Sequence, residues 1–519
     1  MSVVGKPIKR EGQGLARGHD NVERLRRDLS KVLHFPLGSH HLDLYLSALT
    51  EHNPFYPTEE IQDWLTSLNE KQLFNVERIP FRDLRKWRFH PETGDLEHES
   101  GGFFAIRGLH VKTNAGNVSE WTQPIIHQPE IGVLGIIAKR INGVLYLLLQ
   151  AKAEPGNLNT YQLSPTVQAT RSNYLCLHGG KPTRYLEYFL DPSRAVTLID
   201  QLQSEQGARF YCKRNRNIIV RVPDDEEISL GPNHRWVSIG QLLKLMRLHN
   251  TVNMDTRSVI SHVSYAPEHV TSLAAVDRDS LRDCLARSPL VADDVHPMAA
   301  DLMMSAHATS PSLMDSDQLI ARITREKFRT ELDVKMVPLK SVRGWNLGAD
   351  EIAEERGRFF SVIGVRVEAD SREVGSWDQP IVRQQNEGIV GLIAKKIDGV
   401  LHFLMQLKVE SGVMDLMELA PTVQCITGSY SKDHLPPFVE HFLHSSALEA
   451  IVDVNQSEEG GRFFEESNRN VVLLAGDDFP VEVPPQYLWM TMRQLKRFIM
   501  LNNYLNIETR SLVACVPWS

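Results

Sequence analysis

Two stretches decide how this chain is read: Gly132–Glu154, GVLGIIAKRINGVLYLLLQAKAE, and Gly388–Glu410, GIVGLIAKKIDGVLHFLMQLKVE. Each is an apolar run, a two-residue turn signal, a second apolar run and a polar row. Asn142-Gly143 and Asp398-Gly399 tolerate the positive φ values of a type I′ turn, so each stretch is predicted to be a tight hairpin. Gln150, Lys152 and Glu154 alternate along a strand end and so point to one face, as do Gln406, Lys408 and Glu410. Such a row is either a solvated edge or the wall of a site. Its retention in both stretches, while apolar neighbours drift, favours the wall.

The likeness extends outward. Ser119–Gln168 aligns without gaps on Gly375–Gln424, with 24 identities in 50 positions. Trp121/Trp377 and Pro165-Thr166-Val167-Gln168/Pro421-Thr422-Val423-Gln424 are among the shared landmarks. After a three-residue deletion, Ser204-Glu205-Gln206-Gly207 meets Ser457-Glu458-Glu459-Gly460, and Thr256-Arg257-Ser258 meets Thr509-Arg510-Ser511. Upstream, Trp87 meets Trp345. The period is too long for a solenoid and marks a tandem duplication. The expected organisation is a lead-in over 1–57, a first repeat over 58–262, a linker or insert over 263–315 and a second repeat over 316–519. Each copy opens with a helix: Ile61, Trp64, Leu65 and Leu68 follow the capping candidate Thr58. Each closes with an amphipathic helix, through Ile239–Met246 and Met492–Ile499. Helices mixed with hairpin strands predict an α+β fold in each copy. Residues 1–27 read as a mobile arm, and 288–316, without sustained period, as a surface loop or disordered insert with room for short helices.

The 519 residues carry 57 Lys+Arg against 65 Asp+Glu, a net charge of −8. That balance disfavours nucleic-acid binding, which draws on clustered basic charge. Five widely spaced cysteines without a CxxC pair suggest a reducing compartment and no zinc site. No apolar run is long enough for a membrane span, and the basic, polar start has no secretory h-region. The expected location is therefore cytoplasmic. Walker A, GxGxxG, HExxH and GxSxG are all absent. His40-His41 reads as a surface pair on a loop, without metal.

The polar row runs into Leu163–Tyr174, which offers hydroxyls, amides, a guanidinium and an aromatic ring, a mix suited to a sugar, a phosphate and a base. Trp87 and Trp345 precede the pairs Phe103-Phe104 and Phe359-Phe360. Polar neighbours, Arg85, Lys86 and Arg88, suggest a partly exposed indole, able to stack on a nucleobase.

Taken in order, Trp87, Trp121-Thr122-Gln123-Pro124, the segment Gln150 to Asn157, the segment Leu163 to Tyr174 and His178-Gly179-Gly180 resemble the NDP-hexose 2,3-dehydratases. The resemblance covers about 30–265 and 316–516. It implies tandem Nudix-like domains with mixed sheets and flanking helices, a homodimer, and a nucleotide-sugar pocket in each copy, one of them catalytic. The Nudix acid cluster REx₂EE is absent from both copies, so pyrophosphate hydrolysis is not expected. The implied substrate is a thymidine diphosphate (dTDP) 4-keto-6-deoxyhexose, and no cofactor is implied. The reaction needs a base for C3, a donor to the C4 enolate oxygen and an acid for the departing C2 hydroxide. A 3-ketoreductase would consume the unstable product.

Glu154 or Glu410 is the candidate base, on the expectation that desolvation raises its pKa. Lys152 or Lys408 is the candidate enolate partner, and Tyr161 and Tyr174 are candidate acids. The first copy keeps Tyr161 and Arg171 where the second has Met417 and Thr427, which favours Lys152, Glu154 and Tyr161 as the catalytic set. Arg209 and Arg462 are expected to bind substrate, without assignment to a pocket, and Trp87, Thr170, Arg171, Ser172, Asn173 and Tyr174 are expected to line one pocket. Trp345, Lys408, Glu410, Thr427, Gly428 and Tyr430 are expected for the other. The rival reading is a non-catalytic nucleotide-sugar-binding protein.

Overall fold

Both hairpins form. In the computed structural model, which describes residues 12–51, 53–174, 182–268, 275–288, 295–427, 435–443 and 448–519, Gly132–Ile141 pairs antiparallel with Val144–Ala153, and Gly388–Ile397 with Val400–Val409. The turn residues take the positive φ that their identities anticipate: 50° and 85° at Asn142 and Gly143, 50° and 79° at Asp398 and Gly399. Each hairpin is the centre of a seven-stranded mixed sheet. In the first, Arg214–Arg221 lies parallel to Gly132–Ile141, and Tyr161–Ser164 and His234–Ser238 flank Val144–Ala153 antiparallel. The second repeats this arrangement with Ser467–Ala475, Met417–Ala420 and Tyr487–Thr491.

Each copy also carries a five-stranded antiparallel sheet, and here the repeats interlock. Phe74–Ile79, from the first copy, pairs with Phe360–Ala369 of the second, and Leu332–Val337 returns the exchange onto Ala105–Thr113. The chain thus reproduces within itself the topology of a strand-swapped dimer. The repeated Thr-Arg-Ser landmarks are part of the same interlock. They lie on the helices Met254–Ser261 and Ile507–Cys515, whose arginines are about 1% exposed or less. Arg257 donates to Ser511 Oγ, Gln456 Oε1 and the Ser457 carbonyl, and Arg510 to Ser258 Oγ and the Ser204 carbonyl. Buried guanidinium groups need such a full set of acceptors.

The helices Ile239–Leu245 and Met492–Ile499 start in complete capping boxes, Ser238 with Gln241 and Thr491 with Gln494. The opening helix, Thr58–Lys71, is not capped by Thr58. Thr58 is its first residue, and the cap position is Pro57, without a side-chain bond.

One segment departs from expectation, and a second takes its helical alternative. The supposed mobile arm, 1–27, overlaps the helix Gly12–Leu33, and Leu25 within it, with Leu29 and Leu33 just beyond, is buried in the main core. The supposed insert contains Arg278–Ala286 and Ala299–Ala306. Ala299–Ala306 packs on the second copy as His40–Ala48 packs on the first. Ser47 Oγ donates to the Leu145 carbonyl and accepts from Ile239 N–H, while Ser305 Oγ does the same with Leu401 and Met492. The structural repeat therefore reaches upstream of 58 and 316. Eight residues, nearly all buried, show no polar face to give them a period. Among the described residues Cys212, Cys284, Cys425 and Cys515 are free, and no helix is long and apolar enough to cross a membrane.

Candidate active site

The polar row of the first hairpin opens into a cavity of about 320 Å³. It is not a solvated edge, because Glu154 is only 5% exposed. Lys152 Nζ stands 3.1 Å from Glu154 Oε1 and 3.4 Å from the Gln168 carbonyl, and Gln168 Nε2 donates to the same carboxylate at 3.0 Å. Gln168 is itself oriented by Asn253 Nδ2, from the N-cap of Met254–Ser261. The second carboxylate oxygen, Glu154 Oε2, is buried without a partner. Burial pushes the Glu154 carboxyl up, but Lys152, Arg372 and Gln168 outweigh it and leave the pKa below its ordinary value. The expected rise is therefore corrected to a fall: Glu154 is held ionised.

Sequence reasoning missed two acids here. Asp255, in the first turn of Met254–Ser261, lines the cavity at 2% exposure with Oδ1 unpartnered. Burial, then the charges of Glu459, Glu205 and Glu154, raise its pKa well above the usual carboxylate range. Glu459, from the second copy, lines the same cavity, and its pKa is raised chiefly by burial. One carboxyl held ionised and two whose pKa values are raised thus line a single cavity, the separation that acid–base catalysis requires. Asp255 was legible only as a residue beside a repeated landmark, and nothing in the sequence brings Glu459 to Glu154.

Glu459 arrives because backbone meets backbone. Gly156 N–H donates to the Gly460 carbonyl at 2.7 Å and its carbonyl accepts from Glu465 N–H at 2.9 Å. A Cβ at Gly156 would fall 1.6 Å from the Phe463 carbonyl oxygen, so only glycine permits this approach. The same loop carries Arg462, whose guanidinium lies 4.1 Å from the Phe104 ring and donates to Gln128. By the same geometry Arg209 leaves its own copy, sits 4.3 Å over Phe360 and donates to Gln384. Each arginine therefore leaves its own copy: Arg462 lines the first pocket, and Arg209 reaches Phe360 and Gln384 of the second copy.

The remaining wall comes from both copies. Trp87 is 7% and Trp345 9% exposed, against the partial exposure expected. Trp87 packs 4.8 Å from Phe104 and donates its indole N–H to the Asp378 carbonyl at 2.7 Å, so it borders the cavity as a fixed wall. Asp378 is clamped by Arg85 at 2.7 Å and Arg366 at 2.9 Å. Burial alone would raise its carboxyl, but these guanidinium groups hold it at about 2. Lys86 lines the cavity at φ 65°, a conformation its counterpart Gly344 adopts at 76°. Arg372, from the second copy, donates to the Ala153 carbonyl and faces the same space.

Of the loop after the hairpin, Thr170 and Asn173 reach the cavity. Arg171, Ser172 and Tyr174 do not line it: Arg171 is exposed, Ser172 is bound to Glu130 and Tyr174 packs on an apolar cluster. Tyr161 is also displaced from its expected role. Its hydroxyl bonds Gln72 and Ser371 at 2.5 Å each, and it does not line the cavity. In the second copy, Lys408 Nζ is 3.3 Å from Glu410 and 3.2 Å from the Gln424 carbonyl, and Gln424 donates to Glu410 at 3.3 Å. Thr427 is half-buried just past the strand Val423–Ile426. Gly428 and Tyr430, like His178-Gly179-Gly180, lie outside the described residues.

Fold and site define a class: a duplicated α+β enzyme whose acid–base cavity is completed by its own second copy. The chain belongs to the NDP-hexose 2,3-dehydratase family, whose model matches residues 58–263 and 316–516. It is 40% identical over 483 residues to a dTDP-4-dehydro-6-deoxy-alpha-D-glucopyranose 2,3-dehydratase of Saccharopolyspora spinosa, covering 92% of this chain and 95% of the relative. Proteins of the same name from Amycolatopsis orientalis and Streptomyces violaceoruber are also 40% identical. The first match covers 91% of this chain and 92% of the relative, the second 87% and 95%.

Proposed function

We propose that this chain removes the C2 hydroxyl of a dTDP-linked 4-keto-6-deoxyhexose as a hydro-lyase, giving a 3,4-diketo-2,6-dideoxy sugar nucleotide. The observation that carries this reading is the pairing of Glu154, held ionised, with the proton-retaining Asp255 in one cavity. Glu154 takes the C3 proton, which the C4 ketone acidifies. Lys152, already bonded to Glu154, is placed to stabilise the enolate oxygen. The enolate electrons expel the C2 oxygen, Asp255 protonates it, and it leaves as water. The C2–C3 enol then moves its hydroxyl proton to C2 and becomes the C3 ketone. Arg372, Arg462 and Lys86 supply cationic charge for the diphosphate.

The finer parts of the reading rest on resemblance: a Nudix-like fold in each copy, a homodimer, a cytoplasmic setting and a place in antibiotic deoxysugar biosynthesis. A diketo product is reactive, so a 3-ketoreductase is its natural consumer.

The test is incubation of the full chain with the 4-keto sugar nucleotide, a 3-ketoreductase and reduced nicotinamide cofactor. A 2-deoxy sugar nucleotide supports the reading. Intact substrate that nevertheless binds in calorimetry would instead establish the non-catalytic binder.

A further inference from the structure

A second cavity, of about 170 Å³, lies away from the active site where the two copies meet. The first copy lines it through His40 and His41, at the start of the helix His40–Ala48, and through residues near the end of Met254–Ser261. His40-His41 is therefore not a loop pair. The second copy supplies Arg493, Lys496 and Arg497 from one side of Met492–Ile499.

Lys496 is the unusual member. It is 6% exposed, and its ammonium donates to the Ser261 carbonyl at 2.5 Å. Among the described residues no carboxylate pairs with it, and Glu268 is the only acid lining the cavity. A buried ammonium is costly unless an anion compensates it. One helix-terminal carbonyl occupies one of its three donors. Burial drops its pKa to about 7, so the charged form is within reach when a counter-charge arrives. Arg493 donates to the Ala308 carbonyl, while Arg497 is exposed on the same helix. His41 Nδ1 is 2.8 Å from the Ser264 carbonyl and donates to it in the neutral ring that burial enforces, with its pKa near 4.

The cluster is not a by-product of the duplication. At the matched places of the first copy stand Gly240 for Arg493 and Leu243 for Lys496, and only Arg497 has a basic counterpart, Lys244. The cavity is smaller than the roughly 300–1,000 Å³ usual for drug-sized ligands but ample for a tetrahedral anion.

We infer that this cavity is a binding site for a phosphate-sized oxyanion, held by Lys496, Arg493 and Arg497 of the second copy against the wall that the first copy supplies. The site is separate from the dehydratase cavity and does not depend on the function proposed for it.

The test is a thermal-shift titration of the full chain with inorganic phosphate at constant ionic strength. Sodium chloride is the control, and the nucleotide pockets are first filled with dTDP. The expected result is a saturable rise in the midpoint with phosphate alone. Arg497→Gln, at an exposed position that the fold does not need, should weaken the apparent affinity about tenfold. Lys496→Met should remove saturation. An unresponsive wild type would overturn the inference, as would an Arg497→Gln chain that binds phosphate as wild type does. Should Lys496→Met not fold, Arg497→Gln decides alone.

Discussion

The two polar rows are built alike and differ in what the opposite copy brings to them. Lys152–Glu154–Gln168 and Lys408–Glu410–Gln424 make the same hydrogen bonds within a few tenths of an ångström. The first row meets Glu459 and Arg372, whereas the matched positions in the first copy are Gln206 and Gly116. Asp378, which anchors Arg85, matches Thr122, whose hydroxyl accepts from Arg343 N–H instead. Lys213, bound to Asn215, matches Glu466, a buried acid pushed up to about 8 by its burial. Duplicating a strand therefore duplicates a local hydrogen-bond set but not an electrostatic environment. Here the other copy supplies part of that environment, Arg372 beside Glu154 and Glu459 beside Asp255.

The largest effect should separate the two rows outright. Glu154→Gln keeps the shape of the side chain and removes the base, so turnover in the coupled reductase assay should fall about 10²–10⁴-fold. Glu410→Gln should stay within a few-fold. The reverse outcome would place catalysis in the second pocket.

The paired glycines sharpen the comparison next. Gly156→Ala and Gly412→Ala would each drive a Cβ into a carbonyl oxygen of the opposite copy, at 1.6 Å and 1.8 Å. Both should destabilise by about 1–3 kcal/mol or more in urea unfolding. Only Gly156→Ala should also cut turnover, by about 10²-fold, because it misplaces Glu459 and Arg462. Equal activities in the two variants would break the claim that the loop around Glu459 completes the first pocket.

Glu459→Gln makes the first pocket resemble the second. The Glu459 charge helps hold the Asp255 pKa up, so removing it lowers that pKa. Asp255 must be protonated to act as the acid. The alkaline limb of the pH–kcat profile should therefore move to lower pH, while the acid limb, where Glu154 takes up its proton, moves less. An unmoved alkaline limb would assign the acid elsewhere.

The smallest difference lies in the walls. Trp87→Phe loses an indole bond to the Asp378 carbonyl, worth about 1 kcal/mol in thermal unfolding. Trp345 makes no such bond among the described residues, so Trp345→Phe should cost less. Equal losses would show that the tryptophans act by packing alone.

The amino-acid order by itself determined what depends on near neighbours. Alternation and an Asn-Gly or Asp-Gly pair set each hairpin, because strand pleat and turn φ are properties of a few adjacent residues. The repeated row likewise placed Lys152 beside Glu154. Expectations failed where the deciding partner is distant in the chain. No pocket was legible for Arg209 or Arg462, which reach the opposite copy because the loops carrying them dock on Gly412 and Gly156. Tyr161, adjacent to the row in sequence, turns to Gln72 and Ser371. Glu154 is held ionised, and Asp255 keeps its proton, through the sum of charges that only the interlocked fold assembles. Side-chain direction along a strand is a local matter, but desolvation and Coulomb interaction act through space. The acid–base character of the pocket therefore belongs to the tertiary structure alone.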